Sequence, residues 1–237
     1  YAAWDNHGGK NHLIEGCKIF STGAGGILLS GGERKTLIPG NNTVFNCEFY
    51  NLNRLNKMYT PAVHLMGVGN IIRNCEMYDL QAMAILLHGN DHLLEYNKIH
   101  HVCLDVTDMG AVYMGRDPSE QGNMIRYNFI YSVHNTKKHN SGICAVYFDD
   151  GAIYNAVYGN VFYDIVSEGT CFIPTVYHNS GGLSSIANNL FIDCRPGLNP
   201  NIQCNQEDAR RRVVYKACAY LQRKRYIRRR YNNSCVS

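Results

Sequence analysis

Two segments carry side chains that could do acid–base chemistry, DMGAVYMGRD (108–117) and AVYFDDG (145–151). In each, one alternating set is apolar: Val112 and Met114 in the first, Val146 and Phe148 in the second. The other set carries Tyr113 and Gly115, then Tyr147 and Asp149. Alternate residues of a strand face opposite ways. If the apolar set lines a core, the tyrosines and Asp149 point outward, and Asp108 stands just before the first strand. Tyrosine rings stack on sugar faces, and a pair of carboxylates supplies an acid together with a base or nucleophile. Asp108 and Asp149 are therefore the candidate catalytic pair. His64, His88, Tyr113, Arg116, Asp117, Tyr147 and Asp150 are candidate substrate-binding residues. Plainer roles stand beside these: Arg116 with Asp117 as a surface ion pair, Asp150 as a turn cap, the histidines as ordinary exposed side chains. Gly115, among bulky outward neighbours, leaves a notch where a ligand could approach the backbone.

What positions these residues is a repeat. The segments LIEGCKI, TVFNCEF, IIRNCEM, LLEYNKI, MIRYNFI, AVYGNVF and SIANNLF share one pattern, with Cys17, Cys47, Cys75, Asn97, Asn128, Asn160 and Asn189 at the fifth position. Successive steps are 30, 28, 22, 31, 32 and 29 residues, a minimal coil of 22 plus inserted loops. A second strand recurs in the same coils as GILLSG, AVHLMG, AILLHG, AVYMGR and AVYFDD. Its phase places Ile27 and Leu29, Val63 and Leu65, Ile85 and Leu87 inside. Leu28, His64, Leu86, Tyr113 and Tyr147 fall outside.

Short strands in one phase at near-constant spacing imply parallel stacking, coil upon coil. The expected fold is all-β: a single-stranded right-handed parallel β-helix of about seven coils, the hand following from crossover chirality. The Cys/Asn column then forms an internal ladder at a tight turn. Its three cysteines are expected to be buried and reduced.

The repeat fades near Pro200, so residues 1–200 are read as the solenoid and 201–237 as an atypical basic tail. Residues 205–237 hold ten Lys/Arg and two Asp/Glu, 10 − 2 = +8, which leaves 4 − 8 = −4 for the rest of the chain. The tail reads as a short cap or as out-of-frame sequence. It carries no nucleic-acid recognition motif, so no nucleic-acid partner is expected. No run of 18 apolar residues is present, which gives no expectation of a membrane helix. With no CxxC pair and no acidic cluster beyond Asp149 and Asp150, no metal or other cofactor is expected. The start at Tyr1 without a signal-peptide pattern is expected of a fragment or processed form.

At the two Asp-bearing strands the sequence resembles glycoside hydrolase family 141. The shared pattern is D-x-G-A-[VI]-Y-x-G-R-D followed by [AI]-Y-F-D-D-G, with GNMIRYN (122–128) between them and HGNDHLLEYNKIHHV (88–102) before. The likeness runs from about Gly8 to Cys194, and the tail departs from it. It implies a fucosidase- or xylanase-like hydrolase of plant cell-wall polysaccharide, secreted or periplasmic in a bacterium and monomeric. It also implies two catalytic aspartates matching Asp108 and Asp149. Two alternatives stand against this: a polysaccharide lyase using His88 and Arg116, and a non-catalytic carbohydrate-binding solenoid.

Overall fold

The computed structural model describes residues 8–135, 141–167, 173–179 and 183–194. Residues 195–237, and with them the whole basic tail 201–237, lie outside the described residues. Three parallel sheets wrap one core, with seven, seven and six strands. The first sheet runs from Leu13–Glu15 through Thr43–Phe45, Ile71–Arg73, Leu93–Glu95, Met124–Arg126 and Ala156–Tyr158 to Ser185–Ala187. The second runs in the same order from Lys18–Phe20 to Leu190–Ile192. The third holds Ile27–Leu29, Val63–Leu65, Ile85–Leu87, Met109–Gly115, Ile143–Asp149 and Val176–His178. Each strand pairs with its counterpart one coil away, so the chain is a parallel β-helix of about six full turns. The one antiparallel pair described is a small hairpin, Gly32–Glu33 with Ile38–Pro39.

Turn chemistry explains the first column. The residue before each ladder position has a positive φ: Gly16, Asn46, Asn74, Tyr96, Tyr127, Gly159 and Asn188. Glycine and asparagine suit that left-handed region, whereas a tyrosine there costs about 1–2 kcal/mol. The turn aims the next side chain inward along the stack. Cys75 N donates to Asn97 Oδ1, Asn97 N to Asn128 Oδ1, Asn128 N to Asn160 Oδ1 and Asn160 N to Asn189 Oδ1, all at 2.9–3.0 Å. Cys47 and Cys75 are buried free thiols, and burial pushes Cys75 up to about 12. Cys17, expected to be buried with them, is exposed: it occupies the outermost described rung, whose strands Leu13–Glu15 and Lys18–Phe20 are themselves mostly exposed.

A second internal ladder was not read from the sequence. Asn42 N donates to Asn70 Oδ1, Asn70 N to His92 Nδ1, His92 N to Asn123 Oδ1 and Asn123 N to Asn155 Oδ1. Each of these residues immediately precedes a first-sheet strand. A third column lies against the third sheet, where Ala62 and Ala84 just precede their strands, Ala111 and Ala145 lie within theirs, and all four are fully buried. Between the columns lies an apolar core that includes Phe49, Phe148, Phe162, Leu65 and Ile72. Truncating one of these to alanine should cost about 2–5 kcal/mol.

Candidate functional site

The outer face of the third sheet carries the candidate residues. Ladder register lines up Leu28, His64, Leu86, Tyr113, Tyr147 and Tyr177 in one outward row. Gly115 pairs with Asp149 in the next row, and extending the register by one residue puts His88 beside Gly115. The outward direction was read correctly, but the exposure was not. Tyr113 and Tyr147 are only 4% and 3% exposed. Tyr59 stands edge-on against Tyr113, the two row tyrosines meet each other at 5.3 Å, and Tyr177 lies against Tyr147 at 4.9 Å. Their ring faces are used by other rings, so neither presents a free stacking face to a sugar.

Asp149 is the hub. Tyr113 donates its hydroxyl to Asp149 Oδ2 at 2.5 Å, Asn179 Nδ2 donates to Oδ1 at 2.9 Å, and Arg116 Nε approaches Oδ2 at 3.4 Å. Burial alone would raise the pKa of this carboxyl. The bonds from Tyr113 and Asn179, the Asp150 amide and the charge of Arg116 outweigh it, and the net shift is downward. Asp149 is thus an ionised carboxylate in a mostly covered position. Tyr113 is pushed the other way, by burial first and then by its bond to Asp149, so it stays a protonated donor.

Asp108 is exposed, with a φ of 58° at the start of its strand. Its N–H donates to Gly142 O, and its Oδ1 accepts the Tyr147 hydroxyl at 3.1 Å. The sequence suggested two carboxyls brought close by adjacent coils, but the register differs. Asp108 stands opposite Gly142 and Asp149 opposite Gly115, so 149 − 142 = 7 strand positions separate them. An extended strand would make that roughly 23 Å. The strand is bent instead: Ala145 N and Val146 N both donate to Thr175 O, a bulge signature, and a Cβ on Gly110 would lie 2.9 Å from Tyr147 N. The two carboxylates are linked through the Tyr147–Tyr113 ring pair, one hydroxyl serving each.

The other candidates divide. Arg116 joins Asp149, and its side chain is 64% exposed. Asp150 is exposed and accepts from the same Asn179 amide at 3.1 Å. Asp117 turns away from Arg116 and pairs with Arg34 at 3.3 Å, because the 117–121 turn is held by Arg34 of the hairpin. His88 bonds Glu120 through Nδ1 at 3.2 Å, and Glu120 is buried. His64 packs against His88 with ring centres 5.3 Å apart, and burial, then the neighbouring His88 and His92, lower it to about 4. Gly115 leaves no open notch: a Cβ there would meet Asp149 Cβ at 2.5 Å.

Sequence reasoning missed Asn179, Tyr59, Glu120 and Arg34. Asn179 was legible, since Val176–Tyr177 repeats Val146–Tyr147 and Asn179 follows the same strand. The other three sit in insertions, which a periodic pattern does not register. Among the described residues, no group of three or more His, Cys, Asp or Glu is placed to hold a metal ion.

Residues 6–191 match the family model for the right handed beta helix region. The chain belongs to this family. No curated protein and no solved structure matches it. The β-helix fold is shared by pectate lyases and glycosidases. Function within it must be argued from the site.

Proposed function

We infer that this β-helix hydrolyses glycosidic bonds in a plant cell-wall type polysaccharide, of the kind fucosidases or xylanases act on, outside the cytoplasm. The observation that carries the reading is the contrast between its two carboxylates: Asp149 is covered and held ionised by three side-chain donors, whereas Asp108 faces solvent with a single tyrosine bond. Glycoside hydrolysis divides acid and base or nucleophile work between two carboxyls. Asp149 acts as the base or nucleophile. Asp108 is the acid that protonates the leaving oxygen as the C–O bond breaks. The Arg116 contact is the longest of the side-chain bonds to Asp149, and a sugar hydroxyl replaces it with least loss.

The test is release of reducing ends from arabinoxylan and rhamnogalacturonan by the wild type, Asp108→Asn and Asp149→Asn. Each substitution should lower the rate at least about a hundredfold, the scale of losing general acid–base catalysis, with the circular dichroism spectrum unchanged. Most of the rate surviving in either variant refutes the two-carboxylate mechanism.

One observation favours a lyase as the second reading. His88 is oriented by the buried Glu120, a base with a fixed imidazole, and Arg116 lies one residue beyond the adjacent Gly115. An unsaturated, ultraviolet-absorbing product, lost in His88→Gln and retained in Asp108→Asn, would put that reading first.

A further inference from the structure

Ten residues, 53–62, connect the second-sheet strand Glu48–Leu52 to the third-sheet strand Val63–Leu65, where the next coil uses four, 81–84. The added residues do not dangle. Arg54 N donates to Thr22 O, and Leu55 N and Asn56 N both donate to Gly23 O at 2.8 Å. The Asn53 side chain ties Thr60 back, and the Thr60 hydroxyl donates to Asn56 O at 2.7 Å. Lys57 is ion-paired with Asp105 on the other side. The insertion is thus clamped to the coil before it and to a loop two coils further on.

This clamped insertion holds apolar side chains out of the core. Met58 is 51% exposed and Tyr59 is 42% exposed. Tyr59 has a φ of 52°. That strained value is not required by the coil, since Tyr59 lies outside the turn column that accounts for Tyr96 and Tyr127. Strain of this kind persists only where the surroundings enforce it. The Tyr59 ring is set edge-on to Tyr113, with centres 6.0 Å apart and planes at 72°. Tyr113 in turn bonds Asp149. Tyr113 and Tyr147 of the outward row are almost fully buried, whereas Tyr59, set against Tyr113, is half-exposed.

We propose that Tyr59 is the stacking platform of a sugar-binding subsite next to Asp149, taking the apolar C–H face of one pyranose unit of the polysaccharide. This rests on the carbohydrate reading of the site and goes beyond it by assigning a residue that carries affinity rather than bond cleavage. A tyrosine suits the task because it supplies a rigid, amphipathic surface with little rotamer entropy to lose. The edge contact with Tyr113 fixes the platform relative to the reacting carboxylate, and the backbone clamps mean it is formed before the ligand arrives.

The experiment is native affinity electrophoresis in gels containing soluble arabinoxylan or rhamnogalacturonan, with the wild type, Tyr59→Ala, Tyr59→Phe and Tyr96→Ala. Tyr96 is an exposed tyrosine at a distant corner and serves as control. The wild type should be retarded by one of the two polymers. Tyr59→Ala should bind about tenfold more weakly, one unit in log Kd. Tyr59→Phe should stay within about threefold of the wild type, since the ring face is kept, and Tyr96→Ala should be unchanged. If the alanine variant does not fold, Tyr59→Leu, which keeps the bulk without the ring, gives the same reading. No retardation of the wild type by either polymer, or equal retardation of the wild type and the ringless variant, overturns the subsite. Retardation that depends on Tyr59 but comes without any release of reducing ends leaves the subsite standing and removes the hydrolase. Hydrolysis that is indifferent to Tyr59 does the reverse.

Discussion

Asp149 leans across Gly115: its Cβ lies 2.5 Å from where a Cβ on Gly115 would be, and its Cα and carbonyl carbon lie 2.9 Å away. The atoms in the way are backbone and Cβ, which cannot rotate aside. Gly115→Ala therefore has to push Asp149 off its bonds to Tyr113 and Asn179. The expected result is a stability loss of about 1–3 kcal/mol, the usual cost of overpacking, and an upward move of the Asp149 carboxyl titration followed by NMR. An unmoved titration would show that the glycine is only a turn residue.

Tyr113→Phe isolates one of those bonds. Asp149 has a native pKa below the ordinary value of 3.8, with burial opposing and the Tyr113 and Asn179 bonds leading the downward causes. A depressed carboxyl contributes stability above its unfolded pKa, and that contribution is lost as pH falls through the native value. The phenylalanine variant should be less stable at neutral pH by about 1.5–3 kcal/mol, the worth of a hydrogen bond to a charged group. The gap should close in acid once Asp149 is protonated in both proteins. Urea unfolding at the two pH values measures it, and a gap that widens in acid contradicts the assignment.

Asn128 tests the first ladder. Its Oδ1 accepts from Asn97 N and Asn97 Nδ2, and its own amide donates to Leu94 O, Arg126 O and Asn160 Oδ1. Removing a side chain so connected leaves buried backbone groups unpaired at about 1–3 kcal/mol each. Asn128→Ala should lose roughly 3–5 kcal/mol in denaturant unfolding, at the top of the range for single substitutions. A loss below 1 kcal/mol would mean that water replaces the ladder.

The cysteine column makes a kinetic prediction. Cys17 is exposed, whereas Cys47 and Cys75 are buried and Cys75 is raised to about 12 by burial. In native protein at neutral pH a thiol reagent should modify Cys17 quickly, and Cys47 and Cys75 only after unfolding. Equal rates for Cys17 and Cys75 would place the column at the surface.

The fold was legible because a solenoid writes its period into every coil. Cys75 and Asn97 differ in chemistry yet occupy one position, and the apolar phase of Val112 and Met114 recurs in Val146 and Phe148. Alternation gives direction but not burial. Tyr113 and Tyr147 do point outward, and only the inserted Tyr59 and the next rung's Tyr177 decide that they are covered. The relation of Asp108 to Asp149 was illegible for a different reason. It depends on a bend at Gly110 and Ala145, which leaves no mark in the period. The second ladder escaped notice because a histidine interrupts it.

That histidine supplies the last prediction. His92 occupies an asparagine position: its Nδ1 accepts from Asn70 N as Asn Oδ1 atoms do elsewhere in the column, and its Nε2 meets His88 O at 3.0 Å. It is 1% exposed, and burial, outweighing its two backbone bonds, lowers its pKa from 6.5 to about 4. The unfolded chain therefore binds a proton on His92 as pH drops below 6.5, while the native state resists until about 4. Between those values the native state loses up to about 3 kcal/mol relative to the unfolded, at 1.36 kcal/mol per unit. Below the native value the loss stops growing. An asparagine keeps the acceptor and the ladder but does not titrate. His92→Asn should thus cost stability at neutral pH, through the lost ring packing and the Nε2 bond, and recover relative to the wild type as pH falls from about 6.5 to 4. Denaturant unfolding across that window measures the difference. Parallel stability curves for the two proteins would show that His92 is not a neutral imidazole standing in for an asparagine.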